Sequence, residues 1–506
     1  MRRKQTAATL RFFTYALTAG AAVVISGCAV GPRYHAPAPP SVTTYTSLPL
    51  AAKISPAPAA AAVQTLEYGA AVNPRWWRDF GSPALNQLVK AALARNPGLD
   101  AAKATLKQAR YNMKAAQGVF YPQVSLGLSA ERLRQSAASN GGVFTPPLFS
   151  LYTGEVSVSY DPDVFGLSRL VSRNERAQVD IAADQLQAAR LTLAGNVVNV
   201  AFSLAALDEE IAAQESDIRD QAQLLELTRK RHTLGADSEL SVLTQAIQLN
   251  SSRGSLPTLE QARDQARHLL SIYLGKFPAE AHSFKIPRLA QLRLPSRLPV
   301  SLPSALVGQR PDIRAAEAQL RAANAVVGEQ VARMYPSLQL TAAFGGESNV
   351  LDDLFDPASR VWDLAAPLVL PLFEGGILEA QKHAAEQAYV AVFADYRSTV
   401  LNAFSNVADV LRALQHDAVA AAAEERALTD ATRAFTLVGT QYRGGAVDYL
   451  SLLTSEVQYD TARITYIQAE TRQLTDTAAL YVALGGGDQV AVPQTSRPGG
   501  RQESRK

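Results

Sequence analysis

Cysteine is nearly absent: the 506-residue chain has one, Cys28, and only six histidines. Neither a disulfide framework nor a cysteine-based metal site can be built from these. Aromatic residues are scarce, at 7%, while alanine dominates an apolar content of 47%. That balance favours long, closely packed helices over a thick globular core. HExxH, GxSxG and a phosphate-cradling glycine loop are all missing, so the expectation is no catalytic residue, no metal and no cofactor beyond a covalent lipid. A charge excess is missing too. The formal charge of +3 includes Arg2, Arg3, Lys4 and Arg11, and removing residues 1–27 leaves 45 basic against 46 acidic side chains. A nucleic-acid partner therefore has no electrostatic support.

What is present starts with an export signal. A basic start, an apolar run from Phe12 to Ile25 and small residues lead to Cys28, the pattern of a signal peptide over residues 1–27. Ile25-Ser26-Gly27-Cys28 resembles the bacterial lipobox. That resemblance implies cleavage before Cys28, acylation of its thiol, and outer-membrane sorting directed by Ala29. Residues 28–75, rich in Pro, Ala, Ser and Thr, read as a lipidated leader that is extended rather than folded. The adjacent Trp76 and Trp77 read as packing anchors. Leu85, Leu88, Val89, Ala92 and Leu93 follow at helical spacing.

One stretch occurs twice. Pro97 to Tyr121-Pro122 is answered by Pro311 to Tyr335-Pro336, 214 positions on and without a gap. In both copies a proline opens an alanine-rich helix, Tyr-Pro closes it, and an alternating segment follows. Gly235, Leu240, Ser241, Leu243 and Thr244 are answered by Gly445, Leu450, Ser451, Leu453 and Thr454 at an offset of 210. A period this long marks a duplicated half-protein. The expected repeats are residues 76–306 and 307–488, with 489–506 a disordered tail.

Each repeat carries one hairpin, at 123–162 and 337–373. Val124, Leu126 and Leu128 alternate with small or polar residues. So do Val156, Val158 and Tyr160, then Leu338, Leu340 and Phe344, then Trp362 through Leu372, where Pro367 and Pro371 disturb the pattern. Strands of about ten residues can cross a bilayer as tilted barrel strands, yet the smallest barrels need about eight. Four cannot close alone, so several copies must pool theirs. The long helices, 167–234 and 374–443, carry heptads through Val197, Leu204, Ile211, Ile218 and Leu225 and through Phe393, Val400, Val407, Leu414, Ala421, Leu428 and Phe435. Each is about 100 Å long at 1.5 Å per residue. Shorter helices at 237–274 and 447–484 follow, and each should stack end to end with a repeat-opening helix. The fold class is mainly α, internally duplicated, with a transmembrane β-barrel portion and a long coiled helical tunnel.

These residues resemble the TolC-like outer-membrane efflux proteins, in the lipoprotein branch typified by OprM and NodT. The most specific pieces are Cys28-Ala29-Val30-Gly31-Pro32, Trp77-Arg78-Asp79-Phe80-Gly81, Gln309 through Glu317, and Tyr442-Arg443-Gly444-Gly445 with Tyr449-Leu450-Ser451-Leu452-Leu453. The resemblance implies a homotrimer with a twelve-stranded barrel in outer-membrane lipid and a tunnel across the periplasm. It also implies two partners, a periplasmic adaptor (membrane fusion) protein and an inner-membrane pump of the resistance-nodulation-division type. The channel would be a passive exit duct for small molecules such as drugs. An exit duct for a polypeptide or for metal ions keeps the channel and changes the cargo. A coiled-coil envelope spacer without a pore is the competing reading of the helices, and the four alternating segments speak against it.

The periplasmic end falls at the turns His232–Leu240 and Tyr442–Leu450, where Gly235, Gly444 and Gly445 supply conformational freedom. By resemblance, Tyr442, Asp448 and Leu450 occupy gate positions, with Arg443, His232 and Leu240 beside them. Where the family pattern continues Asp-Ala-x-Arg, this chain has Thr454-Ser455-Glu456-Val457. Thr454 and Val457 replace the charged pair, so the expected gate rests on Leu450 and hydroxyl contacts.

Overall fold

The computed structural model describes residues 30–48, 53–54, 63–134 and 148–486. The expected signal peptide, Cys28 and the tail from 489 lie outside the described residues. Contacts divide the chain into two compact units, each assembled from both sequence repeats.

The first unit comprises residues 1–37, 105–182 and 315–397. Its centre is an antiparallel sheet of β3 (Gln123–Leu133), β4 (Phe149–Tyr160), β7 (Leu340–Ser348) and β8 (Arg360–Ala365), hydrogen-bonded in that order. Pairing between β4 and β7 joins the two repeats in one sheet. Register sorts the side chains by face, because neighbours in a row point the same way. One row runs Leu126–Val156–Phe344–Trp362 and the next Val124–Val158–Ala342–Leu364. The opposite face carries Ser125–Ser157–Ala343–Asp363, in which the two serine hydroxyls meet at 2.7 Å, and Gly127–Glu155–Gly345–Val361. Phe344, Trp362, Leu126 and Leu364 are all exposed in the single chain.

The expectation of a last strand reaching Leu372 is corrected. It stops at Ala365, because Pro367 has no N–H for the ladder. A two-residue strand, β9 (Leu368–Val369), resumes beyond it and pairs with β6 (Ser337–Leu338) as a separate ribbon.

The repeat-opening helices are α2 (Pro97–Gly118) and, after the short α5 (Pro303–Gln309), α6 (Pro311–Ala332), each with proline at its first position. After β4, Asp163 accepts hydrogen bonds from the backbone N–H groups of Ser168 and Arg169 at 2.8 and 3.0 Å. That caps α3 (Leu167–Thr233), which runs for 67 residues.

The second unit comprises residues 38–104, 183–314 and 398–506. Here α3 and α7 (Ile377–Arg443) accompany α4 (Glu239–Tyr273) and α8 (Tyr449–Ala483). The heptad seams bury Val197, Leu204 and Ile211 on α3 and Val407, Leu414 and Ala421 on α7. Burying each larger apolar side chain contributes about 2 kcal/mol. Toward the turns Ile218, Leu428 and Phe435 are half-buried, while Leu225 stays buried.

The short helices meet end to end, and the residue before each repeat-opening proline makes the joint. Asn96 donates to the carbonyl of Tyr273 at 3.1 Å, and Arg310 donates to that of Ala483 at 2.7 Å while its other guanidinium edge grips Asp312. Those carbonyls belong to helix ends with no partner of their own. Trp76 and Trp77 are packing anchors. Trp76 stacks on Tyr481 at 5.4 Å, Trp77 donates to Asn86, and α1 (Pro83–Arg95) packs beside them with Leu85, Val89 and Ala92 buried.

The leader is a correction. Instead of staying extended and unfolded, β2 (Gln64–Tyr68) pairs with β1 (Lys53–Ile54) and, in parallel, with β5 (Arg297–Val300). Alternation buries Gln64 and Leu66, and the Gln64 amide donates to the Pro295 carbonyl at 3.1 Å. The pairing therefore satisfies the leader's backbone and side chains together.

Candidate functional site

Four helix ends meet at two turns in the second unit. Both long helices stop the same way. Gly235 and Gly445 each take φ of +73°, and the residue after each glycine donates back across the last turn, Ala236 to the Arg231 carbonyl and Ala446 to that of Gln441. This left-handed stop is one that side chains resist and glycine accepts. Gly444 keeps an ordinary negative φ, so only one of the two adjacent glycines is required by the turn. The next helices are capped alike. Ser238 accepts from the Ser241 N–H at 3.2 Å and Asp448 from the Ser451 N–H at 3.0 Å. The Ser451 hydroxyl and N–H hold the exposed Asp448 carboxyl below its ordinary value.

Between the turns lies a polar lock that sequence reasoning passed over. Tyr442, buried, donates its hydroxyl to Asp237 Oδ2 at 2.6 Å. Arg231 binds the same carboxylate oxygen at 2.9 Å, reaches the Tyr442 carbonyl at 3.1 Å, and lays its guanidinium 4.5 Å from the Tyr442 ring centre. Burial, then the bond to Asp237, raises the Tyr442 phenol above its usual range. The Asp237 bond likewise raises the Arg231 guanidinium, so Arg231 stays charged. Beneath it Tyr449 donates to Gln245 Oε1 at 2.6 Å and packs edge-on against Tyr442, with Leu452, Phe435 and Val438 around them.

The residues expected at the gate divide into two sets. Tyr442 belongs to the lock, and His232 touches its edge through the Asp237 carbonyl at 2.9 Å. Arg443 folds back on the Gly439 carbonyl, and the Thr454 hydroxyl on that of Leu450. The Thr454 hydroxyl contact thus lies within α8. Leu240, Leu450 and Val457 remain exposed in the single chain, at 72%, 66% and 43%. Arg231, Asp237 and Gln245 were missed. Their repeat counterparts are Gln441, Val447 and Ser455, so the lock sits where the two copies differ, and that divergence was the available signal.

A second cluster lies along α8. Glu456, buried, is pushed up to about 7, first by burial and then by the charges of Asp217 and Asp220. Asp460 is raised to about 7 by burial and the charge of Asp217, opposed by Arg463. Arg463 reaches Asp217 at 3.5 Å.

The family model described as "Outer membrane efflux protein" matches residues 88–276 and 302–486, one segment in each repeat. The chain belongs to the outer membrane efflux protein family. Among curated members, it is 30% identical to the pyoverdine export outer membrane protein OpmQ of Pseudomonas putida, over 83% of this chain and 89% of that protein. It is 27% identical to the cation efflux system protein CusC of Escherichia coli K12, over 92% of this chain and 98% of that one. Among solved structures, it is similar to the outer-membrane channel OprN, with TM-score 0.81 and 26% identity over 91% of this chain and 99% of that one. It is also similar to VceC of Vibrio cholerae, with TM-score 0.77 and 27% identity over 82% and 100% of the two chains. This efflux protein shares the fold of those outer-membrane proteins, mainly long helices with one four-stranded antiparallel sheet.

Proposed function

We propose that this protein is the outer-membrane exit duct of a tripartite efflux system, and that three copies pool their sheets in a twelve-stranded barrel. The observation that carries this reading is the register of the four strands. Leu126, Val156, Phe344 and Trp362 form one apolar row across the whole sheet, while Ser125, Ser157 and Asp363 share the other face. An apolar outside and polar inside is the pattern of a lipid-embedded pore wall. Among the described residues, strands β3 and β8 end the sheet with unpaired edges, which lipid does not tolerate, so neighbouring copies supply the missing ladders.

The duct performs no chemistry of its own. A periplasmic adaptor and an inner-membrane pump of the resistance-nodulation-division type would deliver the cargo, and the lock at the turns would keep the periplasmic end shut until the adaptor engages. Acylation of Cys28 would tether each chain to the inner leaflet, with no other cofactor. OpmQ and CusC are named for pyoverdine export and cation efflux. For this chain a small-molecule cargo fits the family, and the pump selects which one.

Native mass spectrometry of the detergent-extracted protein tests the assembly. Three copies per particle, each carrying acyl mass that Cys28→Ser removes, is the expected result. A single-chain particle would overturn the pooled barrel.

A further inference from the structure

The leader enters the first unit beside the junction of sheet and helices. The Val30 N–H donates to the Phe165 carbonyl at 3.4 Å, between the end of β4 and the start of α3. Gly31, at φ +108°, lies so close to Gly328 of α6 that an added Cβ would stand 2.9 Å from the Gly328 Cα. The Asn324 amide donates to the Pro32 carbonyl at 3.2 Å. Residues 31–34 are thus seated on α6 with a groove on either side.

One groove, of about 230 Å³, is lined by Arg173, Arg176 and Arg321 over Leu170 and Ala325. The other, of about 570 Å³, is lined by Arg33 and Lys382 over Val327, Val331 and Val390. Only two carboxylates, Asp180 and Glu386, line them, and both are engaged. Asp180 holds Arg321 at 3.1 Å and Glu386 lies 3.6 Å from Lys382. Among the described residues no carboxylate pairs with Arg33 or Arg173. Both grooves therefore join an apolar floor to a basic rim, which suits a ligand with hydrocarbon and a phosphate.

We infer that these grooves are a binding site for anionic phospholipid, with Arg33 in one groove and Arg173 in the other as the cations that meet headgroup phosphates, and an acyl chain along the valines of α6 and α7. The inference rests on the outer-membrane reading given above. Arg33 is five residues from Cys28, under about 18 Å of extended chain. The site is thus within headgroup reach of an acylated residue 28. Basic pockets beside membrane-embedded walls bind anionic headgroups in this way, each cation near an anionic surface adding about fivefold in affinity.

The test uses the intact acylated protein in detergent, titrated with phosphatidylglycerol or phosphatidylcholine and read by native mass spectrometry. Phosphatidylglycerol should be retained over phosphatidylcholine by at least about tenfold. Arg33→Gln with Arg173→Gln should bring the two lipids to parity, with oligomer mass and helical circular dichroism unchanged. Val331→Asp should weaken both lipids. Equal retention by the native protein, or an undiminished preference in the double variant, would overturn the site. Displacement of phosphatidylglycerol by equimolar inorganic phosphate would show a free-anion site and overturn the lipid assignment. Channel conductance, read separately in planar bilayers, reports on the exit-duct reading and need not change.

Discussion

The Tyr442 hydroxyl donates to Asp237 Oδ2 at 2.6 Å, tying the end of one long helix to the turn that follows the other. Arg231 shares that carboxylate and covers the tyrosine ring. A buried hydrogen bond to a charged group contributes about 2 kcal/mol. Removing the phenol should loosen the turns without emptying the apolar cluster beneath. Tyr442→Phe is therefore expected to raise the open probability in planar bilayers severalfold. Asp237→Asn, which weakens both of its contacts, should raise it further.

The adjacent glycines give a sharper contrast. Gly445 holds a left-handed φ of +73° and Gly444 does not. A Cβ at Gly445 meets open space, so the cost of Gly445→Ala is conformational alone, about 1 kcal/mol. Gly444→Ala should be neutral or slightly stabilising, since alanine suits a helix end. Thermal unfolding followed by circular dichroism should rank the two variants in that order.

Asp448 and Leu450 also separate by mechanism. Asp448 caps α8, so Asp448→Ala should cost about 1 kcal/mol and raise leak by fraying the helix. Leu450 is exposed in the single chain. Leu450→Ser should therefore leave stability unchanged and still raise leak, because it acts between copies. Ion leak at constant channel number distinguishes the two.

Glu456 gives a pH dependence. Its folded pKa, about 7, lies above the ordinary carboxylate value near 4.5. Between those values the native state holds more protons than the unfolded one, so this group's stability contribution is intact below about 4.5 and lost as pH rises through about 7. Glu456→Gln should therefore raise the melting temperature at pH 8 and change it little at pH 4. A gain independent of pH would contradict the assignment.

Much of the fold was legible because it is local. Pro97 and Pro311 mark helix starts, Tyr121-Pro122 and Tyr335-Pro336 mark stops, and alternation from Val124 to Leu128 marks a strand. Pairing of β2 with β5 was not legible, since it joins residues more than two hundred positions apart through backbone bonds that four ordinary residues can make anywhere. Pro367 was noticed, but how far one missing N–H would break the ladder depended on the neighbouring strand. The lock escaped because residue types alone do not show which way Arg231 and Asp237 face, whereas Tyr442 stood out only through its motif.

Single-channel recording in planar bilayers tests the central claim most directly. The protein carrying Tyr442→Phe and Asp237→Asn should give discrete, long-lived conductance steps. Those steps should favour cations, because the polar sheet face carries Glu131, Glu155, Glu347 and Asp363 and no basic residue among its strand positions. Membranes containing this variant that show no steps at all would contradict the account.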